Sequence, residues 1–228
     1  MTIIDRSEVV TEWLEFGIRA FTTTRDVGSF GLMTNEPVRT VMSRWHELRR
    51  DLAPGGDRLA TAGQVHGSTV LVHHAGWQGW LRSDAADGHI SMDRGTALAV
   101  TIADCVPVFI AHPSGAVAAL HSGWRGTAAR IVERGIEALT HRGLSASELR
   151  VHLGPGICGK CYEVSAEVYA QLTGTNPAAQ RLSICAPSSP TTRAPRASFT
   201  SRFRTHALDA TTIVSSRTAR VTSVANSA

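Results

Sequence analysis

The sequence predicts a single α+β domain, and three observations carry that prediction. A long amphipathic segment around residue 40 reads as a helix, and the short apolar runs after it read as strands. Beyond residue 115 a strand, a glycine-containing loop and a second helix follow one another. With 228 residues, 43% of them hydrophobic, the chain can bury a core of one-domain size.

The first helix is read from Asn35 to Leu52. Asn35 offers a capping side chain, Pro37 suits the first turn, and Val38, Val41, Met42, Trp45 and Leu48 recur at helical spacing. Strand-like runs follow at Arg58 to Val65, Thr69 to His74, Ala97 to Ala103, Pro107 to His112 and Ala116 to Leu120. Pro113-Ser114-Gly115 is a turn signal, so the last two runs should pair antiparallel. Helical periodicity returns from Ala128 to His141 and stops at Gly143. A strand at Leu149 to Leu153, the turn Gly154-Pro155-Gly156 and a short helix at Val164 to Leu172 complete a core of residues 1–173. Residues 174–228 are crowded with Ser, Thr, Ala and Arg and show no sustained apolar period, so loose or irregular structure is expected there. The same bias is what a frame change in a G+C-rich gene would produce.

Charge and cysteine usage narrow the function classes. The net charge of +4 comes from the tail, where seven arginines face one acid from Leu172 onward, leaving the body slightly acidic. Nucleic acid is therefore not an expected partner. The opening residues lack the basic start and apolar run of a secretory signal, and no stretch is long enough to span a bilayer. A cytoplasmic protein with no membrane partner is expected. In that compartment Cys105, Cys158, Cys161 and Cys185 read as thiols or ligands rather than as a disulfide framework.

Three residues on separate segments carry the chemistry. His66 stands before Gly67 at the end of one strand run, Cys105 interrupts a core strand beside Asp104, and His121 ends another strand where a loop opens. Thirty-nine residues separate the first two and sixteen the second two, too wide for a zinc finger or ribbon with its close ligand pairs. A His, Cys and His set instead matches a catalytic zinc that keeps one position open. The same donors suit copper, and spacing does not choose between the metals. Free amides near Thr127, with Arg125 beside them, form a candidate phosphate or carboxylate seat. Cys158-Gly159-Lys160-Cys161 lacks a second pair and a helix start, and reads as incidental. His73, His74 and His89 read as surface or loop histidines.

These residues sit in motifs that resemble the YfiH or laccase-domain family. The motifs are Gln64-Val65-His66-Gly67, Thr101-Ile102-Ala103-Asp104-Cys105-Val106-Pro107, His121-Ser122-Gly123-Trp124-Arg125-Gly126, Gly154-Pro155-Gly156-Ile157 and Tyr162-Glu163-Val164. The resemblance implies a layered α/β/β/α fold and a zinc ion, with copper as the alternative, on His66, Cys105 and His121. It also implies phosphorolysis of purine nucleosides such as adenosine, inosine, guanosine or methylthioadenosine, with adenosine deamination as a side activity, by a monomer or small homo-oligomer. Asp104 would join the catalytic group, and Arg25, Arg125 and Gln64 would contact substrate or phosphate. Asp87 matches an alanine and aspartate pair of the family and reads as structural. Copper-dependent polyphenol oxidation is the alternative activity. The tail departs from the family pattern, which keeps a third alternative open, an inactive metal-binding protein.

Overall fold

The computed structural model describes residues 1–159 and 161–175, together with the backbone of strands Leu182–Ser183, Phe199–Thr200 and Ala210–Ser216. The early strands are β1 (Ser7–Val10), β2 (Ile18–Thr23), β3 (Arg58–Ala62), β4 (Val70–His73) and β5 (Gly79–Ser83). Next come β6 (Gly88–Ser91), β7 (Thr96–Ile102), β8 (Val106–Ala111), β9 (Val117–Ser122) and β10 (Arg150–Leu153). The last are β11 (Glu163–Val164), β12 (Leu182–Ser183), β13 (Phe199–Thr200) and β14 (Ala210–Ser216). The helices are α1 (Val38–Leu52), α2 (Trp124–Ala128), α3 (Ile131–Thr140) and α4 (Ala166–Thr173).

Two six-stranded mixed sheets form, in the orders β1-β2-β14-β7-β3-β5 and β13-β10-β8-β9-β6-β4. Side-chain alternation along β7 shows how they stack. Ala97 and Ala99 face α1, where Val41, Trp45, Leu48 and Leu52 form its buried stripe. Leu98 and Val100 point the other way, onto Phe109, Ala111, Val117 and Ala119 of the second sheet. On the outer face of that sheet Ile90, Val108, Ile110 and Leu120 pack against Ile131 and Leu139 of α3. The layers are thus α/β/β/α, and the α+β layered fold is as expected. A Cβ at Gly135 would come within 2.9 Å of the Leu120 side chain, so glycine there lets α3 lie close on the sheet.

The hairpin between β8 and β9 is antiparallel through the Pro113-Ser114-Gly115 turn, as expected. Four local readings are corrected. Helix α1 begins at Val38 with Pro37 as its cap residue, and Asn35 lies outside it in the preceding loop. The expected single helix from Ala128 is two, because Arg130 takes a left-handed conformation (φ 61°) between α2 and α3. Since α2 already opens at Trp124, the Thr127 amide is not free but donates to the Gly123 carbonyl at 2.8 Å. His73 and His89 are buried rather than superficial, because β4 and β6 pair in parallel and set one ring against the other, 2.9 Å apart. His74 is exposed.

Most of residues 174–228 lie outside the described ones. Among the described residues there, β14 runs antiparallel between β2 and β7 near the middle of the first sheet.

Phe109 is fully buried between the sheets, so Phe109→Ala should lower unfolding free energy by about 3–5 kcal/mol. Urea denaturation would show this as a reduced midpoint at unchanged slope.

Candidate metal centre

Strand β3 ends at Ala62, and the chain then turns through Gly63 to Gly67. His66 sits at φ 58° in that turn, a conformation a non-glycine residue holds only when its surroundings enforce it. The enforcing group is the carboxylate of Asp87, which is fully buried. It accepts the amides of Val65 at 3.2 Å, His66 at 2.9 Å and Gly67 at 2.7 Å. Its Oδ1 also meets Nδ1 of His121 at 2.8 Å, while its main-chain carbonyl accepts the His121 amide at 2.7 Å. One aspartate therefore sets both histidines. With Nδ1 engaged, His121 presents Nε2 outward, the arrangement of a carboxylate-oriented metal ligand.

Cys105 is placed by a second strained turn. Asp104 has φ 70°, and the Cys105 amide donates back to the Ala103 carbonyl at 2.9 Å. The Ile157 amide from the Gly154-Pro155-Gly156 loop holds the Asp104 carbonyl at 2.8 Å. The result brings one donor atom each from His66, Cys105 and His121 within 4.8 Å of one another. Cys105 Sγ lies 3.9 Å from His66 Nδ1, and the two imidazole rings have centroids 4.7 Å apart. A Cβ on Gly123 would reach 3.0 Å from that sulfur and 3.1 Å from that nitrogen, so glycine keeps the space beside the donors open. Gly126 plays a related part, since a Cβ there would meet the Gly67 carbonyl at 2.8 Å. Two imidazoles and a thiol converging on this space fit a borderline metal such as zinc or copper.

In the metal-free site the electrostatics set the two histidines apart. Burial, the neighbouring His121 and Arg125 push His66 down, keeping it neutral and able to bind a metal. Burial pushes His121 down as well, but hydrogen bonds to Asp87 and Cys105 and their charges overcome it and lift the ring to about 9. Burial would raise Asp87, yet the bonds from His121 and from the Gly67 and Val65 amides hold it below the ordinary carboxylate range.

The other expected site residues are mostly exposed. Asp104 is exposed beside Cys105. Arg125 is exposed on α2, with its guanidinium 5.0 Å from the centre of the Trp124 ring. Arg25 is exposed just after β2. Gln64 spends its amide on the backbone: Nε2 donates to the Thr101 carbonyl at 2.8 Å, and Oε1 accepts the Thr101 amide at 2.7 Å. It extends the β3 to β7 pairing where β3 has already ended, and it still borders a cavity of about 420 Å³. That cavity is walled by residues 29–34, Trp80, Arg82 and Thr101, and it reaches His66 and His121. Burial, and then the charges of Cys105 and Asp104, push the Tyr162 phenol up.

Asp87→Asn should weaken zinc binding by about 10- to 100-fold in competition with a chromophoric chelator. Gly123→Ala should also weaken it while leaving the far-ultraviolet circular dichroism unchanged. In the metal-free protein, the raised His121 contributes stability that is complete below about 6.5 and is lost as pH climbs through about 9. Burial holds His89 down to about 3, so its contribution is lost as pH falls below 6.5. Melting temperature measured against pH should therefore peak near pH 6.5, and a plateau from 6 to 9 would contradict the His121–Asp87 assignment.

A purine nucleoside phosphorylase from Streptomyces griseus is 41% identical over 115 residues, covering 50% of this chain and 47% of that protein. An adenosine deaminase, RL5, from an unknown prokaryote is 36% identical over 169 residues, covering 67% of this chain and 64% of that protein. The chain spans about half the length of the first curated relatives it matches. The crystal structure of YlmD from Geobacillus stearothermophilus superposes with a TM-score of 0.64 at 28% identity, covering 76% of this chain and 67% of that one. The family model described as multi-copper polyphenol oxidoreductase laccase matches residues 22–220, and the chain belongs to that family.

Proposed function

We propose that this protein is a zinc-dependent purine nucleoside phosphorylase that also deaminates adenosine. It would cleave adenosine, inosine, guanosine or methylthioadenosine with phosphate to base and sugar 1-phosphate, in the cytoplasm, as a monomer or small homo-oligomer. The observation that carries the reading is the convergence of His66, Cys105 and His121 beside a cavity bordered by both histidines. The relatives that carry the names purine nucleoside phosphorylase and adenosine deaminase support it.

A zinc ion held by the three residues would polarise substrate and supply an activated water at neutral pH, the nucleophile that deamination requires. The remaining steps fall to the chain. Arg125, close enough to depress His66, and Arg25 would seat phosphate through charge-assisted hydrogen bonds. A phosphate oxygen attacks C1′ of the ribose as the glycosidic C–N bond breaks, and the purine leaves with the bonding electrons and takes up a proton. Asp104, on its exposed turn beside Cys105, would move that proton. Gln64 holds the cavity wall by clamping Thr101.

The family's description favours a second reading, copper-dependent oxidation of phenols. A multicopper mechanism needs several metal sites, and among the described residues one group of three such donors is found. Metal analysis with a phenol assay separates the readings, and an inactive metal-binding protein would bind zinc without turning over either substrate.

Purified protein loaded with zinc should convert inosine and phosphate to hypoxanthine. Cys105→Ala should reduce kcat by about 100-fold or more, the size expected when several kcal/mol of charge stabilisation are lost. Folded, zinc-loaded protein that releases no base would end the proposal.

A further inference from the structure

The motif Cys158-Gly159-Lys160-Cys161 gains a geometry in the structure that its sequence does not show. The amides of Cys161 and Tyr162 both donate to the Cys158 carbonyl, at 2.8 and 3.0 Å, so the two cysteines bracket a tight turn. Such a turn keeps its first and fourth α-carbons within about 7 Å, close to the span of about 4.4–6.8 Å that a disulfide bridges. The sulfurs stand 3.5 Å apart, Cys161 is exposed and Cys158 is partly exposed. Two cysteines are half the ligands of a structural zinc site, and among the described residues neither joins a group of three donors.

The turn directly follows an attachment to the candidate metal centre, where the Ile157 amide holds the Asp104 carbonyl at 2.8 Å. Drawing the sulfurs from 3.5 Å to a covalent separation of about 2.05 Å tightens the turn and pulls on that attachment.

We propose that Cys158 and Cys161 are a reversible oxidation site, whose disulfide loosens the turn that carries Cys105. A hydroperoxide is the oxidant class. One thiolate attacks the peroxide oxygen, the O–O bond breaks, and the sulfur becomes a sulfenic acid as the departing oxygen takes up protons to leave as water. The second thiol sulfur then attacks the sulfenic sulfur, the S–S bond forms and the S–O bond breaks, releasing a second water. Two thiols lose two electrons, and one hydrogen peroxide becomes two waters. Exchange with an external dithiol reverses the reaction. The disulfide stands apart from the phosphorylase reading, and its consequence is read on Cys105 without metal or turnover.

The test treats full-length, metal-free protein with equimolar hydrogen peroxide and maps each cysteine by mass spectrometry. Free thiols should fall from four to two per chain, with Cys158 linked to Cys161 and both recovered by dithiothreitol. Alkylation of Cys105 by iodoacetamide should become several-fold faster in the oxidised chain. It should stay unchanged in the similarly treated Cys158→Ser/Cys161→Ser variant, and in Cys161→Ser alone, a change at an exposed position that tests the point if the double variant fails to fold. Persistence of both thiols while Cys105 or Cys185 oxidises, or a disulfide joining another pair, would overturn the site. A mapped Cys158–Cys161 disulfide that leaves the Cys105 rate unchanged would overturn its coupling to the centre.

Discussion

The structure depends on one buried carboxylate. Asp87 is removed from water, an environment in which an ionised group is costly unless its oxygens are satisfied. It is satisfied by three consecutive amides, Val65 to Gly67, and by the ring of His121. These bonds tie the turn after β3 to the end of β9, two segments in different sheets. The carboxylate therefore closes the end of the β-sandwich and fixes the histidine pair in a single act. Its partners are what keep it charged, and its charge is what keeps His121 oriented.

Backbone strain is concentrated in the same place. Among the described residues four non-glycine ones have positive φ; His66 and Asp104 sit in the two ligand turns, and Ala85 lies two residues before Asp87. Each such residue costs on the order of 1–3 kcal/mol and persists only where the surroundings over-determine it. Here the Asp87 bonds enforce the first turn and the Ile157 amide enforces the second. Packing supplies the rest, with Gly123 and Gly126 admitting α2 to a distance any side chain would block. The centre is thus built from rigid parts, in keeping with a site whose donors must hold position before a metal or substrate arrives.

His73 and His89 form a buried histidine pair, whereas of His66 and His121 only His121 is buried. His89 follows Asp87 by two residues on the same short passage and bonds His73 at 2.9 Å. Burial keeps it neutral, so the inner end of β6 carries an ionised aspartate and an uncharged imidazole close together. The charge near the ligands is carried by Asp87 and its partners, and the layer behind them stays neutral.

By itself the sequence determined which residues could act and roughly where the elements lie. His66, Cys105 and His121 were legible because each stands in a short motif at a strand end, where local pattern alone predicts exposure of a side chain to a cleft. Strands β3, β4, β7, β8, β9 and β10 and helix α1 were legible because periodicities of two and 3.6 are local properties, while β5 and β6 were not read. Tertiary structure decided the rest. Asp87 read only as a structural residue, and its hold on both histidines became visible when three amides and a histidine from distant segments closed on it. His73 and His89 looked superficial until parallel pairing of β4 with β6 buried them. Strand β14 has the composition of a tail, yet it completes the first sheet because backbone groups of β2 and β7 supply its hydrogen bonds. Burial and hydrogen-bond partnership arise between residues far apart in the chain, and local pattern carries no record of them.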